Sequence, residues 1–360
     1  GVRTGAVSGD IYTIAGDGTG AYSGDGGPGT SAQLCGADGV AVDGSGNVLI
    51  ADRCNDRIRL VAASTGTFYG QAMTAGDIYT IAGDGGGGGS GDGGPAVSAA
   101  LDTPQAVTLD SAGNIVIGAT GDNRIRVVAA TTGTFYGQAM TAGDIYSIAG
   151  SGIRGYSGDN GPAAEAKIGL IAGVTVDSAG NVVIADNGSR RVRAVATNSG
   201  TAYGKSMTAG DIYTIAGNGG SSSGAGGKTV NAEISHPGGV AVSTSGTVVA
   251  ADSRVWEVPT RSGTFYGQAM TAGDIYTIAG TDKGGYSGNG GRATSAELAG
   301  DSGIAIDQAG NVVIADPGNN RVRVLAAITG SFYGQPMKAG DIYTIAGDGT
   351  GGYSGDSGPA

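Results

Sequence analysis

The sequence predicts an all-β fold, a β-propeller of four-stranded antiparallel blades. The first observation is a repeat, because the segment Gly-Asp-Ile-Tyr-Thr/Ser-Ile-Ala-Gly occurs six times along the 360 residues. The second is that three further strand-like runs lie between successive copies. The third is composition, because 75 glycines and only 14% charged residues favour turns and strands over helices. The copies begin at Gly9, Gly76, Gly143, Gly210, Gly273 and Gly340, a spacing of 67 residues except for one of 63.

The first full unit shows the four strands in order. We name them a (residues 39–43), b (47–52), c (57–62) and d (77–82). The small residues at 44–46 form the tight turn that a hairpin between a and b needs, and Asp43 can cap that turn with its side chain. The unit therefore predicts one four-stranded antiparallel sheet.

Strands a and d are apolar on both faces instead of alternating, as in Val40-Ala41-Val42. Such strands need cover on both sides of the sheet. A radial stack of blades supplies it, because each sheet packs between two neighbours. A parallel β-helix is the structural alternative, but its coils are usually shorter and would not need two tight hairpins per unit.

Two stretches of the sequence, residues 173–193 and 303–323, resemble the NHL repeat. In the first, Gly173-Val-Thr-Val-Asp is followed by Ser-Ala-Gly-Asn and then by Val-Val-Ile-Ala-Asp. The linkers at 22–28 and 156–162 are similar to those of bacterial NHL-type propellers, and the resemblance extends over nearly the whole chain. It implies the fold more strongly than the function, because NHL propellers include lyases, adhesion modules and partner-binding scaffolds.

Counting the units leaves the closure of the ring open. There are five complete repeats plus an extra outer strand, a lone strand d at residues 10–15. The NHL resemblance implies six blades most often. The ring is therefore five-bladed, or six-bladed with the sixth blade incomplete or supplied by missing chain or a neighbouring copy. We expect a single domain over residues 1–360, with repeats at about 10–76, 77–143, 144–210, 211–273 and 274–340.

Charge and hydropathy exclude two classes of partner. The net charge of −11 argues against nucleic acid and anionic lipid surfaces. No apolar stretch approaches the roughly 20 residues that span a bilayer, so we expect no membrane insertion. Low charge, few Lys and abundant Gly, Ser, Thr and Tyr suit an exported bacterial protein, secreted or on the cell surface.

The linker acids Asp25, Asp92 and Asp159 could contribute ligands to Ca²⁺, which needs about six to eight oxygens from several groups. However, no linker concentrates alternating acids as a calcium loop does. Gly-Asp-Gly-Gly-Pro also forms a rigid turn without any metal. We therefore expect no cofactor, with Ca²⁺ as the alternative.

An enzymatic site would be expected at the mouth of the central channel, just before each strand a. NHL-type lyases carry several His residues there, whereas this chain has one His in total. The sequence contains no paired acid and base motif, nucleophile elbow or phosphate-binding loop followed by a helix. The catalytic candidates are His236, Asp38 and Asp301, with Cys35, Asp102 and Gln105 at aligned positions.

An acid at the end of strand b and an Arg at the start of strand c recur in several units. They flank one hairpin turn, so a charge-assisted hydrogen bond across that turn is geometrically easy. Unit 4 departs from this pattern with a shorter turn and with Trp256, the only Trp, which indicates either drift or a specialised face for a partner. We interpret the pairs as structural: Asp52/Arg57, Asp186/Arg191 and Asp316/Arg321.

Each long connection between strands c and d carries aromatic residues. They could form a binding surface rich in Tyr and Gln for a protein or glycan partner. Alternatively, the hairpin tip folds its aromatics back onto the blade edge and shields it. The candidate binding residues are Phe68, Tyr69, Phe135, Tyr136, Phe265, Tyr266, Phe332 and Tyr333.

The two cysteines, Cys35 and Cys54, both lie in the first unit. Strand a leaves the face where Cys35 lies, and strand b returns to it, which brings the turn with Cys54 to the same face. In an exported protein such a pair favours a disulfide. Two buried free thiols or a metal pair are the alternatives.

The sequence favours an extracellular structural or binding scaffold that presents repeated loops and rim aromatics to protein or glycan partners, including other copies of itself. Near-identical repeats supply many equivalent contacts and therefore avidity. The alternative is a lyase or hydrolase with a site at the central channel mouth, and an enzyme is the less favoured interpretation.

Overall fold

The computed structural model describes Val7 and residues 9–220, 228–281, 283–300 and 303–360. Within them the chain forms five antiparallel sheets, each with strands a, b, c and d in sequential order. Strand a of each blade contacts strand a of the next, so strands a line the centre and strands d the outside. This confirms the all-β propeller with four-stranded blades. No helical segment of the described residues is long and apolar enough to cross a membrane.

The strands of the first blade begin and end within two residues of the predicted bounds. Strands a are Ala37–Val42, Pro104–Leu109, Ile171–Val176, Gly239–Val242 and Ile304–Ile306. Strands b are Val48–Asp52, Ile115–Ala119, Val182–Asp186, Val248–Ala251 and Val312–Asp316. Strands c are Arg57–Val61, Arg124–Val128, Arg191–Val195, Val255–Val258 and Arg321–Leu325. Strands d are Asp77–Ala82, Asp144–Ala149, Asp211–Ala216, Tyr276–Ala279 and Asp341–Ala346.

Each connection between strands c and d forms a two-stranded ribbon of its own. The ribbons are Gly66–Phe68 with Gln71–Met73, Gly133–Phe135 with Gln138–Met140, Gly200–Ala202 with Lys205–Met207, Gly263–Phe265 with Gln268–Met270, and Gly330–Phe332 with Gln335–Met337.

The linker that leads into a blade adds a two-residue strand beside strand d of that same blade. These strands are Gly27–Pro28, Gly94–Pro95, Gly161–Pro162 and Gly291–Arg292. Short 3-10 turns follow in the linkers at Gly29–Ser31, Ala96–Ser98, Ala163–Glu165, Thr229–Asn231 and Ala293–Ser295. Others lie between strands b and c at Arg53–Asn55, Asn187–Ser189 and Pro317–Asn319.

One carboxylate closes the turn between strands a and b. Asp43 Oδ1 accepts hydrogen bonds from the backbone N–H of Ser45 at 2.8 Å and of Asn47 at 2.9 Å. Gly46 has a φ of +84°, a left-handed conformation that favours glycine. The predicted cap is therefore confirmed, and the same bonds recur at Asp110, Asp177 and Asp307.

The apolar core is divided among the interfaces between blades. Leu49 and Ile58 of blade 1 pack in one cluster with Ile115 of blade 2, and similar clusters join the later blades. Burial of each such side chain contributes about 1.5–3 kcal/mol. Near the centre, strands a of blades 1 and 2 approach each other closely. A Cβ at Gly39 would lie only 2.7 Å from the Gln105 carbonyl oxygen. Each inner blade is thus covered on both sides, as its apolar strands require.

The two ends of the described chain meet on the outside of the ring. Asp10–Ile11 pairs with Gly358–Pro359 in a separate two-stranded sheet. In the described residues, strand a of blade 5 makes no contact with strand a of blade 1 comparable to those between consecutive blades. The structure therefore has five complete blades plus the predicted extra outer strand, which extends over Asp10–Ile11.

Candidate functional site

The two faces of the ring carry different connections. One holds the a–b turns and the five ribbons, and we call it the ribbon face. The other holds the b–c turns and the segments that precede strands a, and we call it the turn face. The residues predicted at the channel mouth therefore belong to the turn face.

A buried arginine from strand c anchors the linker of its blade. The Arg59 guanidinium lies 2.6 Å from Asp25 Oδ1 and 3.1 Å from the Ser23 carbonyl oxygen. It also lies 3.3 Å from Asp52 Oδ2 at the end of strand b. One fully buried guanidinium thus joins three segments of the blade. The buried arginines of this kind are Arg59, Arg126, Arg193 and Arg323.

The three linker acids considered as Ca²⁺ ligands each pair with one of these arginines. Their carboxylate oxygens lie 2.6 Å (Asp25), 2.6 Å (Asp92) and 2.7 Å (Asp159) from a guanidinium nitrogen. Burial alone would raise the pKa of Asp159, but hydrogen bonds from Thr214 and Arg193 outweigh it and leave the pKa below its usual value. No group of three or more His, Cys, Asp or Glu among the described residues could hold a metal ion. Ca²⁺ binding at these acids stays a prediction.

The prediction of an ion pair across the b–c turn is wrong, because the acid pairs with a different arginine of strand c. Asp52 pairs with Arg59, whereas Arg57 donates to the carbonyl oxygens of Asn55 and Asp84. Both arginines lie on one face of strand c, but only Arg59 is buried beside the buried carboxylate. The equivalent pairs are Asp186 with Arg193 at 3.6 Å and Asp316 with Arg323 at 3.9 Å.

Arg57 stacks instead on a tyrosine of the linker. Its guanidinium carbon lies 3.8 Å from the centre of the Tyr22 ring. Such a cation–π contact contributes about 0.5–1 kcal/mol at an exposed site. The sequence carries a signal for it, because the linker Tyr and an Arg-x-Arg motif in strand c recur together. Blades 3 and 5 repeat the stack between Arg191 and Tyr156 at 3.6 Å and between Arg321 and Tyr286 at 3.9 Å.

The catalytic candidates do not form one site among the described residues. Asp38 Oδ2 lies 2.7 Å from Arg53 Nε in blade 1. On the turn face between blades 3 and 4, His236 and Arg190 line a cavity of about 270 Å³, and no carboxylate of the described residues lines it. Asp301 lies outside the described residues. The structure therefore separates the His from the one described Asp that was proposed to act with it.

A buried carboxylate in blade 2 was not predicted. Burial raises the pKa of Asp122 to about 6, and its Oδ2 has no hydrogen-bond partner. Nearby, Asp102 accepts a hydrogen bond from Thr103 Oγ1 at 2.7 Å. The sequence carries a signal for it in unit 2. Ala119 stands where strand b of other units ends in an acid, and Asp122 follows in the b–c turn.

The aromatic residues of the ribbons fold back onto the blades. Tyr69 packs against the cluster between blades 1 and 2. Tyr136 donates its hydroxyl to Asp110 Oδ2 at 3.0 Å, and burial raises the pKa of Tyr136 far above its usual range. Of the eight candidates only Tyr333 is exposed, and the remainder are half-buried. The rings cover the blade edge, and partner binding through them stays a prediction.

A groove of about 630 Å³ runs along the outer edge between blades 1 and 2. Tyr22, Arg57 and Gln71 line it from blade 1, and Val97 and Asp144 line it from blade 2. Aromatic, amide, guanidinium and carboxylate groups therefore converge on one concave surface. Sequence reasoning missed this groove because its walls belong to two different units.

Blade 4 replaces the buried arginine by Trp256. The indole N–H donates to Asp252 Oδ1 at 3.1 Å, and the side chain is only 1% exposed. The next residue, Glu257, is buried with Oε2 unbonded, and burial raises its pKa to about 7. At this position the departure of unit 4 is a change of its interior, because Trp256 presents no surface to a partner.

Cys35 and Cys54 lie side by side on the turn face as free thiols. The backbone N–H of Cys54 donates to the Cys35 carbonyl oxygen at 3.0 Å. A hydrogen bond between the two side chains raises the pKa of the Cys35 thiol. The structure brings the predicted pair together without the bond, and the disulfide stays a prediction.

Comparison with known proteins bears on the fold. A family model described as the teneurin NHL domain matches residues 90–196, less than half of the chain. No curated protein matches the sequence. An auxiliary nutrient binding protein from Bacteroides thetaiotaomicron superposes with a TM-score of 0.54 at 10% identity, over 92% of this chain and 63% of that one. Another auxiliary nutrient binding protein, from Bacteroides ovatus, superposes with a TM-score of 0.50 at 11% identity, over 91% of this chain and 63% of that one. A virginiamycin B lyase from Staphylococcus aureus superposes with a TM-score of 0.43 at 12% identity, over 86% of this chain and 69% of that one.

At these identities the two nutrient binding proteins support the fold alone, and this chain spans less than two thirds of either of them. The matched residues 90–196 run from the linker of blade 2 to the end of strand c in blade 3. The same four-stranded unit recurs in all five blades. The match to the teneurin NHL domain and the five-bladed structure together support an NHL-repeat β-propeller.

Proposed function

We propose that the chain is an extracellular binding scaffold that holds protein or glycan partners along its outer edge. The observation that carries this proposal is the groove of about 630 Å³ between blades 1 and 2. It combines surfaces for stacking with hydrogen-bonding and charged groups. Its described lining includes no His or Cys, and the Asp25 carboxylate accepts a hydrogen bond from the Tyr22 hydroxyl and pairs with the buried Arg59. The groove therefore suits recognition rather than bond breaking.

Parts of the same side-chain set recur around the ring. The aromatic ring and the guanidinium of the groove are present in blade 3, and blade 5 also has the amide. Recurring stacking and hydrogen-bonding groups on one ring give avidity for a partner that is itself repetitive, such as a polysaccharide. The positions are Tyr156 and Arg191 in blade 3, and Tyr286, Arg321 and Gln335 in blade 5.

The net charge of the chain favours some classes of glycan over others. The net charge of −11 repels polyanionic glycans and favours neutral ones. The proposal places the protein outside the cell, secreted or on the cell surface, where such polymers are encountered. The low content of charged residues and the two adjacent cysteines support this location.

Affinity for neutral soluble polysaccharides tests the proposal, measured as retardation in native gels that contain each polymer. Val97→Arg places a long charged side chain at the lip of the groove, where Val97 is exposed, and should weaken binding by about tenfold or more. Ile153→Arg is the matched control, because Ile153 is also exposed and lies outside the groove. Equal affinity of both variants and the parent would remove the groove from the proposal.

The ribbons provide a separate test. If their aromatic rings contact a partner or another copy, replacing the four Phe residues by Ser should disrupt capture or assembly while the propeller stays folded. Light scattering and pull-downs measure this, and unchanged results would leave the rings as cover for the blade edge. The substitutions are Phe68→Ser, Phe135→Ser, Phe265→Ser and Phe332→Ser.

The alternative function is a lyase or hydrolase on the turn face. The cavity of about 270 Å³ favours it, because Arg154 and Arg190 could hold an anionic group of a substrate beside His236. A stoichiometric transition metal in the purified protein would support this alternative. So would turnover of a candidate substrate that His236→Ala abolishes.

A further inference from the structure

Basic side chains from two blades meet at one cavity on the turn face. The cavity measures about 270 Å³ and lies between blades 3 and 4. Arg154 lines it from the linker that precedes blade 3, and Arg190 lines it from the b–c turn of blade 3. His236 lines it from the segment before strand a of blade 4. Three segments that are distant in the chain therefore contribute basic groups to one concave surface.

These three groups have no counter-charge among the described residues. No carboxylate of the described residues lines the cavity. The side chains of Arg154, Arg190 and His236 make no hydrogen bond or ion pair within the described part of the chain. Arg191 adds a guanidinium behind one wall, because a Cβ at Gly219 would lie 2.5 Å from Arg191 Nη1. Positive charges held close together repel each other, so this arrangement favours a bound anion.

Arg190 stands at a position where three other units carry Asp or Asn. It ends the b–c turn with a φ of +56°. Asp and Asn are enriched in this left-handed conformation, whereas Arg is not. The local backbone therefore does not explain the arginine, whose side chain lines the cavity instead. The equivalent residues are Asp56, Asn123 and Asn320, with φ of +50°, +52° and +51°.

The other two basic residues also replace uncharged ones. Arg154 precedes the linker tyrosine by two positions, and His236 follows the residue whose backbone N–H donates to the acid after strand b. Other units have Gly20, Gly87 and Gly284 at the position of Arg154, and Gly36, Thr103 and Leu170 at the position of His236. Between blades 1 and 2 the equivalent groups bond to each other, because Asp56 accepts a hydrogen bond from the backbone N–H of Thr103 at 2.8 Å. The basic cavity therefore comes from substitutions at the interface of blades 3 and 4, and the repeat alone does not produce it.

We propose that this cavity binds a sulfate or phosphate group, a tetrahedral dianion, between Arg154, Arg190 and His236. The two guanidinium groups supply two permanent positive charges, which match the charge of the dianion. Each guanidinium also presents a planar fork of N–H donors that fits the oxygens of such a group. The imidazole of His236 supplies a further N–H donor. A carboxylate would leave one guanidinium without a counter-charge.

Size and charge limit the ligand to one that carries a single anionic group. The cavity of about 270 Å³ is slightly smaller than the usual small-molecule site of about 300–1,000 Å³. The net charge of −11 disfavours a polyanion. The group is either the inorganic anion or an ester on a small sugar. The site needs no turnover and lies on another face than the groove between blades 1 and 2, so the two proposals stand or fall separately.

Isothermal titration calorimetry with sodium sulfate and sodium phosphate tests the proposal, at an ionic strength held constant with sodium chloride. The parent protein should bind each anion at one site. Arg190→Asn installs the residue of blades 2 and 5 and keeps the turn, and it should weaken binding by about tenfold or more. Arg154→Gly installs the residue of three other linkers and should weaken binding to a similar extent.

Arg292→Pro is the matched control. It removes an exposed arginine that lies outside the cavity. It installs the residue that the linkers of blades 1 to 3 carry at this position, where the φ of −55° suits proline. Its affinity for both anions should equal that of the parent, and the midpoint of thermal unfolding checks that all three variants are folded.

Titration with sodium acetate and with the monosulfate and monophosphate esters of glucose defines the ligand. Tighter binding of an ester than of the inorganic anion would support the proposal with a sugar as the carrier, and equal affinity would support it with the free anion. Acetate that binds as tightly as sulfate would overturn the assignment of a dianion. A parent protein without saturable binding, or folded Arg190→Asn and Arg154→Gly variants with the affinity of the parent, would overturn the site.

Discussion

Asp25 and Arg59 lie 34 positions apart in the chain, and their side chains meet at 2.6 Å. The guanidinium is fully buried and also donates to the carbonyl oxygens of Ser23 and Gln33. These bonds offset the desolvation of the buried charge. The contact fixes the linker to strand c of the blade that follows this linker in the chain. It thereby holds one side of the groove between blades 1 and 2 in place.

Asp92→Ala should destabilise the protein more than Asp25→Ala. In blade 1 the buried arginine keeps a second carboxylate, Asp52 at 3.3 Å. Blade 2 has Ala119 at that position, so Arg126 would lose its only ion pair among the described residues. Removing a charge-assisted bond from a buried guanidinium costs about 2–3 kcal/mol. Urea unfolding measures the two losses, and equal values would show that the second carboxylate does not compensate.

Glu257→Leu should stabilise the protein at neutral and alkaline pH. Burial raises the pKa of Glu257 to about 7 in the folded state, compared with about 4.3 in an unfolded chain. The unfolded state therefore releases this proton first, and the contribution of Glu257 to stability falls as the pH rises from about 4.3 to about 7. The Glu257→Leu variant has no titrating side chain at this position and therefore does not lose stability in this way. Its advantage in free energy of unfolding should grow by about 4 kcal/mol across that window and then stay constant.

Unfolding in urea at a series of pH values measures the difference between the Glu257→Leu variant and the parent. Glu165→Leu is the control, because it makes the same substitution at an exposed carboxyl. A difference for Glu257→Leu that changes with pH no more than the difference for Glu165→Leu would contradict the titration of this buried carboxyl.

Gly89→Tyr should supply blade 2 with the stacked ring that blades 1, 3 and 5 already have. A Cβ at Gly89 would lie 2.6 Å from Arg124 Nη1, the end of a flexible side chain that can move onto the new ring, and 3.2 Å from Asp122 Oδ1, which must shift by a few tenths of an ångström. The expected gain is about 0.5–1 kcal/mol in the free energy of unfolding. Gly89→Leu adds bulk without an aromatic face. If the Leu variant is as stable as the Tyr variant, stacking is not the cause.

Oxidation should join Cys35 to Cys54 and raise the free energy of unfolding by about 3 kcal/mol, because the bond closes a loop in the unfolded chain. Mass spectrometry of the unreduced protein measures the loss of two hydrogens. Cys54→Ser cannot form the bond, so its unfolding midpoint should not change with reductant. Two alkylatable thiols in protein never exposed to reductant would contradict the disulfide and weaken the extracellular placement.

The candidate sites were only partly predictable from the chain. Asp43 was assigned as a turn cap from its neighbours alone, and the structure confirms it. The acid ending strand b was paired with Arg57, the nearest arginine across the turn, whereas burial selects Arg59. The cavity of His236 and the groove with Val97 and Asp144 join different blades, and no pattern within one unit indicates them.

The repeat by itself determined the four strands of each blade, the turns between them and the propeller class, because these depend on side chains a few positions apart and on apolar runs that need cover on both faces. Only the tertiary structure decided which arginine pairs with which acid, that five blades are complete among the described residues, and that Tyr353 is exposed. The physical reason is that burial and contact between distant segments decide these features, and a repeating sequence does not show which copy lies at an uncovered edge.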